Sequence, residues 1–252
     1  MNQAVNHEEH LLEPALKYVM LELTSRCNLR CVYCAVSQPD FHGLDITLGF
    51  DRLRAELGSE GAIEIQMNGH GETTIVRNWE VLARELMNDG HRLSLTSNLA
   101  VPLRDEELVV IRRMTRVTVS LDTCDPELLA RLRRGSRLEK IEANLQRIRA
   151  GGNGPYVAIN CTFTDKVMEG LPALVDWAAA HDLQCVALTN LVEYPEVDPA
   201  MVVRHPAEVD PVHALALVRE ARQRATRQGL DFHAMDGLQE LLVEASARWP
   251  AA

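Results

Sequence analysis

Residues 18–34 read Tyr-Val-Met-Leu-Glu-Leu-Thr-Ser-Arg-Cys-Asn-Leu-Arg-Cys-Val-Tyr-Cys, an apolar segment from Tyr18 to Leu23 running directly into a C-x₃-C-x₂-C loop of Cys27, Cys31 and Cys34. A short apolar run closed by a polar loop has the pattern of a buried strand. Three thiolates on one loop can ligate three irons of a [4Fe–4S] cluster. A closed cluster usually takes four cysteines, so this spacing leaves one iron without a protein ligand. An incomplete zinc knuckle is the alternative reading, but a structural zinc site needs four ligands, and no cysteine or histidine follows with finger-like spacing.

Outward from this stretch, strand and helix signals alternate. Strand-like runs recur at Ala62–Met67, Arg92–Thr96, Arg116–Leu121, Tyr156–Thr162 and Gln184–Thr189. Helical patterns lie between them at Phe50–Leu57, Val76–Asn88, Asp105–Arg113, Leu138–Ala150 and Leu171–His181, and Asp125-Pro126 supplies an N-cap with a first-turn proline for one more helix. This alternation predicts an α/β fold of parallel strands with right-handed crossovers, a partial (β/α)6 TIM-like barrel over residues 18–192 that follows an N-terminal extension, residues 1–17. Pro195, Pro199, Pro206 and Pro211 break the pattern, so Glu193 to Pro211 reads as a long irregular loop of the kind that often serves as a lid. Helices at Val212–Gln228 and Leu238–Ala247, with a short strand-like stretch at Leu230–His233, make residues 193–252 a short helical C-terminal extension packing on the core.

The chain has 252 residues, 46% of them apolar, which suffices for one such domain with a continuous core. Acidic residues outnumber basic ones by 36 to 26, a formal net charge of −10, which argues against a protein that tracks nucleic-acid phosphates. The dense basic run Arg131–Arg137 reads as the solvated face of a helix. No apolar run approaches the ~18 residues that span a bilayer, and Met1 to Glu13 is polar and acidic rather than signal-like, so no membrane is expected and the reading is cytoplasmic. Six cysteines over this length do not suggest a secreted disulfide framework, and a reducing compartment suits exchangeable thiolate ligands.

A second motif closes the second strand: Met67-Asn68-Gly69-His70-Gly71-Glu72-Thr73, where small residues let the backbone approach a ligand and a carboxylate follows. With this turn and a cysteine loop whose last thiol is preceded by the aromatic Tyr33, the chain resembles the radical S-adenosylmethionine (SAM) superfamily over about Tyr18 to Thr189. The resemblance implies that Cys27, Cys31 and Cys34 carry the cluster and that S-adenosyl-L-methionine binds its open iron, with Tyr33 beside it. It further implies Gly71, Glu72 and Thr73 at the methionyl amine, Ser120 near the carboxylate, and a flavodoxin or ferredoxin-type electron donor. His70 stands where the family more commonly has glycine. Asn98, Asp122 and Asn160 join the candidates because polar residues at the carboxyl ends of parallel strands sit where α/β ligands bind.

Three cysteines remain. Cys124 follows Ser120 and Asp122 by the same two-residue step, which places it at the barrel mouth as the candidate donor of a hydrogen atom to a substrate radical. Cys161 and Cys185 read as small buried hydrophobes under the helices. No cysteine follows Cys185, so the auxiliary-cluster extension called SPASM or twitch is not expected, and neither is a leader-binding domain before Tyr18. The expectation is an enzyme that abstracts hydrogen from a small metabolite, a sugar, cyclitol or amino-acid-derived compound, with epimerisation, rearrangement, elimination or decarboxylation to follow. Its rivals are a peptide-modifying enzyme served by a separate leader-binding partner and a non-catalytic iron–sulfur or SAM-binding module.

Overall fold

The structure, a computed structural model, describes residues 18–249 apart from 47–48, 59–60, 151, 153, 193, 195–200 and 236. The expected N-terminal extension lies outside the described residues, as does much of the proline-rich loop.

Seven strands form one all-parallel sheet, in which spatial order follows chain order. They are β1 (Tyr18–Leu21), β2 (Glu64–Met67), β3 (Arg92–Ser97), β4 (Arg116–Ser120), β5 (Tyr156–Thr162), β6 (Cys185–Thr189) and β7 (Asp231–Ala234). β1 and β7 are the two edges, so the barrel is open between them. The strand count corrects the expected six: β7 comes from the C-terminal segment and pairs with β6, Val186 opposite Phe232, so that segment completes the sheet as well as adding helices to it.

Helices connect the strands as α1 (Phe50–Gly58), α2 (Trp79–Asn88), α3 (Asp105–Ile111), α4 (Pro126–Leu132), α5 (Leu138–Arg149), α6 (Leu171–Ala180), α7 (Pro211–Gln228) and α8 (Leu238–Arg248). One sheet face is the core: Ile65, Leu95, Val117, Val119, Ile159 and Leu188 are all fully buried within one hydrophobic cluster. Each such side chain contributes about 1.5–3 kcal/mol on burial. Alternation turns the residues between them towards the barrel interior, where they are mainly polar.

Local chemistry sets the helix ends. Asp125 accepts from the amides of Glu127 at 2.9 Å and Leu128 at 3.0 Å, which satisfies the first turn of α4. α2 starts three residues later than its apolar pattern predicts, because Thr73–Ile75 is a 3₁₀ turn and Asn78, at φ 61°, interrupts the helical backbone just before Trp79. Of the expected loop after β6, the described part includes a short 3₁₀ turn, Pro206–Glu208, capped by His205, which accepts from Ala207 N at 3.1 Å. No helix among the described residues is long and apolar enough to cross a membrane.

Candidate active site

The cysteine loop leaves β1 at the carboxyl end of the sheet and is fastened from three directions. Arg30–Cys31 forms a two-residue antiparallel ladder with Arg133–Arg134, just after α4, and Val32 N donates to Leu132 O at 2.9 Å. Glu72 N donates to Arg26 O at 2.9 Å. Ser25 N donates to Leu44 O at 2.7 Å. Gly71 explains why the motif after β2 needs glycine: an added Cβ would lie 2.3 Å from the carbonyl oxygens of both Thr24 and Arg26. The glycine-rich turn therefore seats the cysteine loop backbone to backbone.

Cys27, Cys31 and Cys34 gather in one cluster with Leu29, Ala100 and Tyr33. Leu29 N donates to the Cys27 sulfur at 3.4 Å and Asn98 Nδ2 does so at 3.7 Å. Burial pushes the Cys27 thiol up, and the Cys31 thiol up to about 12. Metal binding must therefore displace protons from these sulfurs. Among the described residues no three thiol, imidazole or carboxylate groups converge closely enough to hold a single ion. Three soft thiolates backed by N–H donors to sulfur fit an iron–sulfur cluster with one open iron, whereas a structural zinc site takes four ligands.

Glu72 is buried and its carboxylate ties the site together. Oε1 accepts from Thr74 N at 3.1 Å, Thr74 Oγ1 at 2.8 Å and Ser97 Oγ at 2.8 Å, while Oε2 accepts from Asn98 N at 2.8 Å. Glu72 thereby fixes Asn98, whose side chain donates to the Cys27 sulfur and, at 3.0 Å, to Asn28 Oδ1. Thr73 is buried beside it. His70 is exposed and faces Glu22, whose Oε1 accepts from His70 N at 2.7 Å.

Asp122, expected beside a ligand, has its carboxylate taken up by protein donors. Its Oδ1 accepts from Arg133 Nη2 at 2.8 Å and Thr162 N at 2.9 Å, and its Oδ2 accepts from Arg133 Nε at 2.8 Å and from the Tyr33 hydroxyl. With four donors on a buried carboxylate, Asp122 positions the cysteine loop. Burial pushes the Tyr33 phenol up, so it stays protonated and donates. Arg133, only 7% exposed, corrects the solvated reading of the Arg131–Arg137 run. Sequence reasoning missed it because an arginine eleven residues from its aspartate carries no periodic signal.

Ser120 and Asn160 stand opposite one another on β4 and β5, on the interior face. The Asn160 amide donates to Thr189 Oγ1 at 3.4 Å. Tyr33 and Val32 line a cavity of about 230 Å³ with Leu191, Val192, Met201 and Val203, and Arg204 and Glu208 belong to the same lining.

Cys124 does not join this group. β4 ends at Ser120, so the two-residue step that keeps a face does not extend to Cys124. The half-buried thiol packs against the helix-side core, and burial pushes it up, against the opposing pull of a backbone hydrogen bond and with smaller upward effects of Asp125 and of Asp176 on α6. Cys161 lies under the helices, as expected, with its thiol donating to Asp122 O at 3.5 Å. Cys185 is fully buried but on the other sheet face, packed with Ala158, Ala187 and Tyr156, which corrects its expected place beneath the helices.

The geometry agrees with what comparison of the chain with known proteins finds. Residues 21–178 match the model of the Radical SAM superfamily. A GTP 3′,8-cyclase of Nitrobacter winogradskyi is 29% identical over 192 residues, which are 73% of this chain and 54% of that protein. The chain therefore spans about half the length of such curated relatives. Among solved structures, Streptococcus suis SuiB bound to S-adenosylmethionine superposes with a TM-score of 0.72 at 16% identity, over 94% of this chain and 54% of SuiB. SuiB bound to its precursor peptide SuiA gives 0.71 at 16% identity, over 91% and 52%. At this identity the likeness is one of fold.

Proposed function

Since the chain belongs to the radical SAM superfamily, whose cofactors are a [4Fe–4S] cluster and SAM, we propose that it cleaves SAM reductively and abstracts a hydrogen atom from a small-molecule substrate. The observation that carries this reading is the packing of Cys27, Cys31 and Cys34 in one cluster, with Asn98 donating to the Cys27 sulfur, on a loop held by Glu72 and by the Asp122–Arg133 pair. When bound, the cluster supplies the electron that breaks the sulfur–C5′ bond of SAM, giving methionine and a 5′-deoxyadenosyl radical.

The chain's own residues orient, ligate and exclude water. Cys27, Cys31 and Cys34 hold three irons, and the N–H groups of Leu29 and Asn98 donate to the Cys27 sulfur, a contact that tunes the electron affinity of such centres. Gly71 and Thr73 would offer backbone to the methionyl amine, with Glu72 behind them as the anchor, and Ser120 would serve the carboxylate. The cavity beside Tyr33 offers an aromatic wall and aliphatic sides, a slot that suits the flat adenine ring. A one-electron donor of the flavodoxin or ferredoxin type completes the cycle.

The remaining thiols sit apart, Cys124 toward α6, Cys161 under the helices and Cys185 on the interior face. They supply no second cluster to take an electron from the substrate, which favours epimerisation, rearrangement, elimination or decarboxylation over dehydrogenation. Anaerobic reconstitution with iron, sulfide, dithionite and SAM tests the core of this reading. The expected product is 5′-deoxyadenosine at a level absent from a Cys31→Ala control; equal yields from the two proteins would sink it.

A further inference from the structure

On the premise of that radical chemistry, an electron must reach the cysteine loop from outside, so the outer face of the loop decides which donor can serve it. Cys31 is buried, whereas Cys27 is partly exposed and lines an open groove of about 470 Å³. Arg26, Arg30, His42, Phe41 and Ile75 belong to the same lining, which contains no carboxylate among the described residues. Ile75 is 38% exposed and gives the groove an apolar spot. An adjoining groove shares Arg26 and Ile75 and adds Arg77 and Asp45. Arg26 and Asp45 meet at 3.1 Å and offset one another. Arg30 instead donates through Nη1 to the carbonyls of Cys27 and Leu29, both at 2.9 Å, and neither Arg30 nor the exposed Arg77 has a carboxylate partner among the described residues.

The two-residue ladder extends this surface. Its register sets Arg30 opposite Arg134 and Cys31 opposite Arg133, so Arg133 turns inward to Asp122 while the half-buried Arg134 stands beside the exposed Arg30. Gly135, at φ 96°, seats the following turn on the cysteine loop, since a Cβ there would lie 3.2 Å from Leu29 Cδ2. Like charges directly opposite one another in a ladder cost stability by themselves, and an anionic surface brought against them removes that cost.

We infer that this face, from Arg77 across the Cys27 groove and Arg30 to Arg134, is the docking surface for an acidic one-electron carrier protein. The chain as a whole has a formal net charge of −10, so an acidic carrier is repelled by most of its surface and steered to a local group of arginines. The groove then sets the carrier's redox centre against a cysteine of the cluster loop. With a flavodoxin, the anionic flavin hydroquinone gives up one electron and becomes the neutral semiquinone, and that electron reduces the cluster with no proton transferred.

The test uses the reconstituted full chain with reduced flavodoxin, and with reduced methyl viologen as a small donor that needs no docking surface. Loss of the cluster's visible absorption in stopped flow reads the reduction rate. For the parent with flavodoxin, the rate should fall steeply between about 0.01 M and about 1 M salt, as the screening length drops from about 30 Å to about 3 Å. At low salt Arg77→Glu should slow it by about threefold and Arg77→Glu/Arg134→Glu by about tenfold or more, with no slowing for methyl viologen. Arg113→Glu/Arg149→Glu makes the same change of net charge at the other end of the sheet, before β4 and β5, and should leave the flavodoxin rate within about twofold. Calorimetric titration with oxidised flavodoxin reads docking without electron transfer, and the Arg77–Arg134 pair of substitutions should weaken it by a similar factor. Equal effects of the two double variants, or none from the first, would overturn the inference, as would a dimer in sedimentation that the first variant dissociates. 5′-Deoxyadenosine formed with dithionite, measured against Cys31→Ala, reports separately on the radical chemistry, so the two readings fail independently.

Discussion

Arg133 grips Asp122 with two parallel bonds of 2.8 Å, Nε to Oδ2 and Nη2 to Oδ1, and the two side chains are 8% and 0% exposed. The pair joins the end of β4 to the ladder that carries Cys31, and Tyr33 and Thr162 complete the carboxylate's shell. Removing one partner strands the other as a buried charge, at a cost of about 3–5 kcal/mol. Arg133→Met should therefore lower the thermal midpoint by about 10 °C for a domain of this size. Replacing Asp122 with Asn in the same protein should restore much of the loss. A single variant that melts with the parent would show that the pair does not hold the site.

Gly69 and Gly71 make a matched comparison within one turn. A Cβ at Gly69 would meet the Glu22 side chain at 2.4 Å, which can swing away because it is a flexible group at the exposed mouth, whereas at Gly71 it would meet the backbone oxygens of Thr24 and Arg26. Gly71→Ala must push the cysteine loop, with an overpacking cost of about 1–3 kcal/mol. Iron and sulfide bound per chain after reconstitution should fall sharply in Gly71→Ala and stay near the parent value in Gly69→Ala. Equal loading of the two variants would show that the loop does not rest on this contact.

Glu72 gathers four donors from Thr74, Ser97 and Asn98, so charge and acceptor number both matter at this position. Glu72→Gln keeps the shape but turns an amide donor against groups that are themselves donors, and hydrogen bonds to a charged group contribute about 1.5–3 kcal/mol each. The variant should lose several degrees of thermal stability and weaken SAM binding, measured by equilibrium dialysis on the reconstituted protein, more than Thr74→Val does. If Thr74→Val proves the more damaging, the carboxylate is not the anchor.

Much of this architecture is legible in the sequence where the signal is local. Asp125-Pro126 marks the start of α4, and the spacing of Cys27, Cys31 and Cys34 marks the loop, because each depends on neighbours a few residues away. The contacts that hold the loop are not legible, since Arg133 reaches Asp122, and Glu72 reaches Asn98, only after the strands have been brought together. The same limit explains the face of Cys185: two-residue alternation says which residues it shares a face with, but both faces of β6 are buried, so pattern alone cannot say which one meets the helices.

Cys124 tests the alternation rule by experiment. Its thiol packs against the helix-side core near Asp176 on α6, with β4 already ended at Ser120. Cys124→Ala should therefore support 5′-deoxyadenosine formation and substrate turnover within about twofold of the parent, a difference below about 0.5 kcal/mol in transition-state stabilisation. Oxidised or unquenched product accumulating in the variant would instead make Cys124 the hydrogen donor, reached through a movement of the β4–α4 loop.

Tyr33 combines two separable roles, which predicts a split between its variants. Its hydroxyl donates to Asp122, and Tyr33 lines the cavity of about 230 Å³. Tyr33→Phe removes only the hydrogen bond and leaves one acceptor site on a carboxylate that Arg133 still holds twice, so it should cost about 1–2 kcal/mol of stability. Its affinity for SAM should stay within about twofold of the parent, because the aromatic wall proposed for adenine is intact. Tyr33→Ala opens that wall as well, and SAM affinity should fall by more than about tenfold, since losing an aromatic contact of this kind removes more than 1.4 kcal/mol. The two measurements, thermal midpoint and SAM affinity, must therefore move apart: a Phe variant that lost SAM affinity as fully as the Ala variant would place the hydroxyl, rather than the ring, against the cofactor.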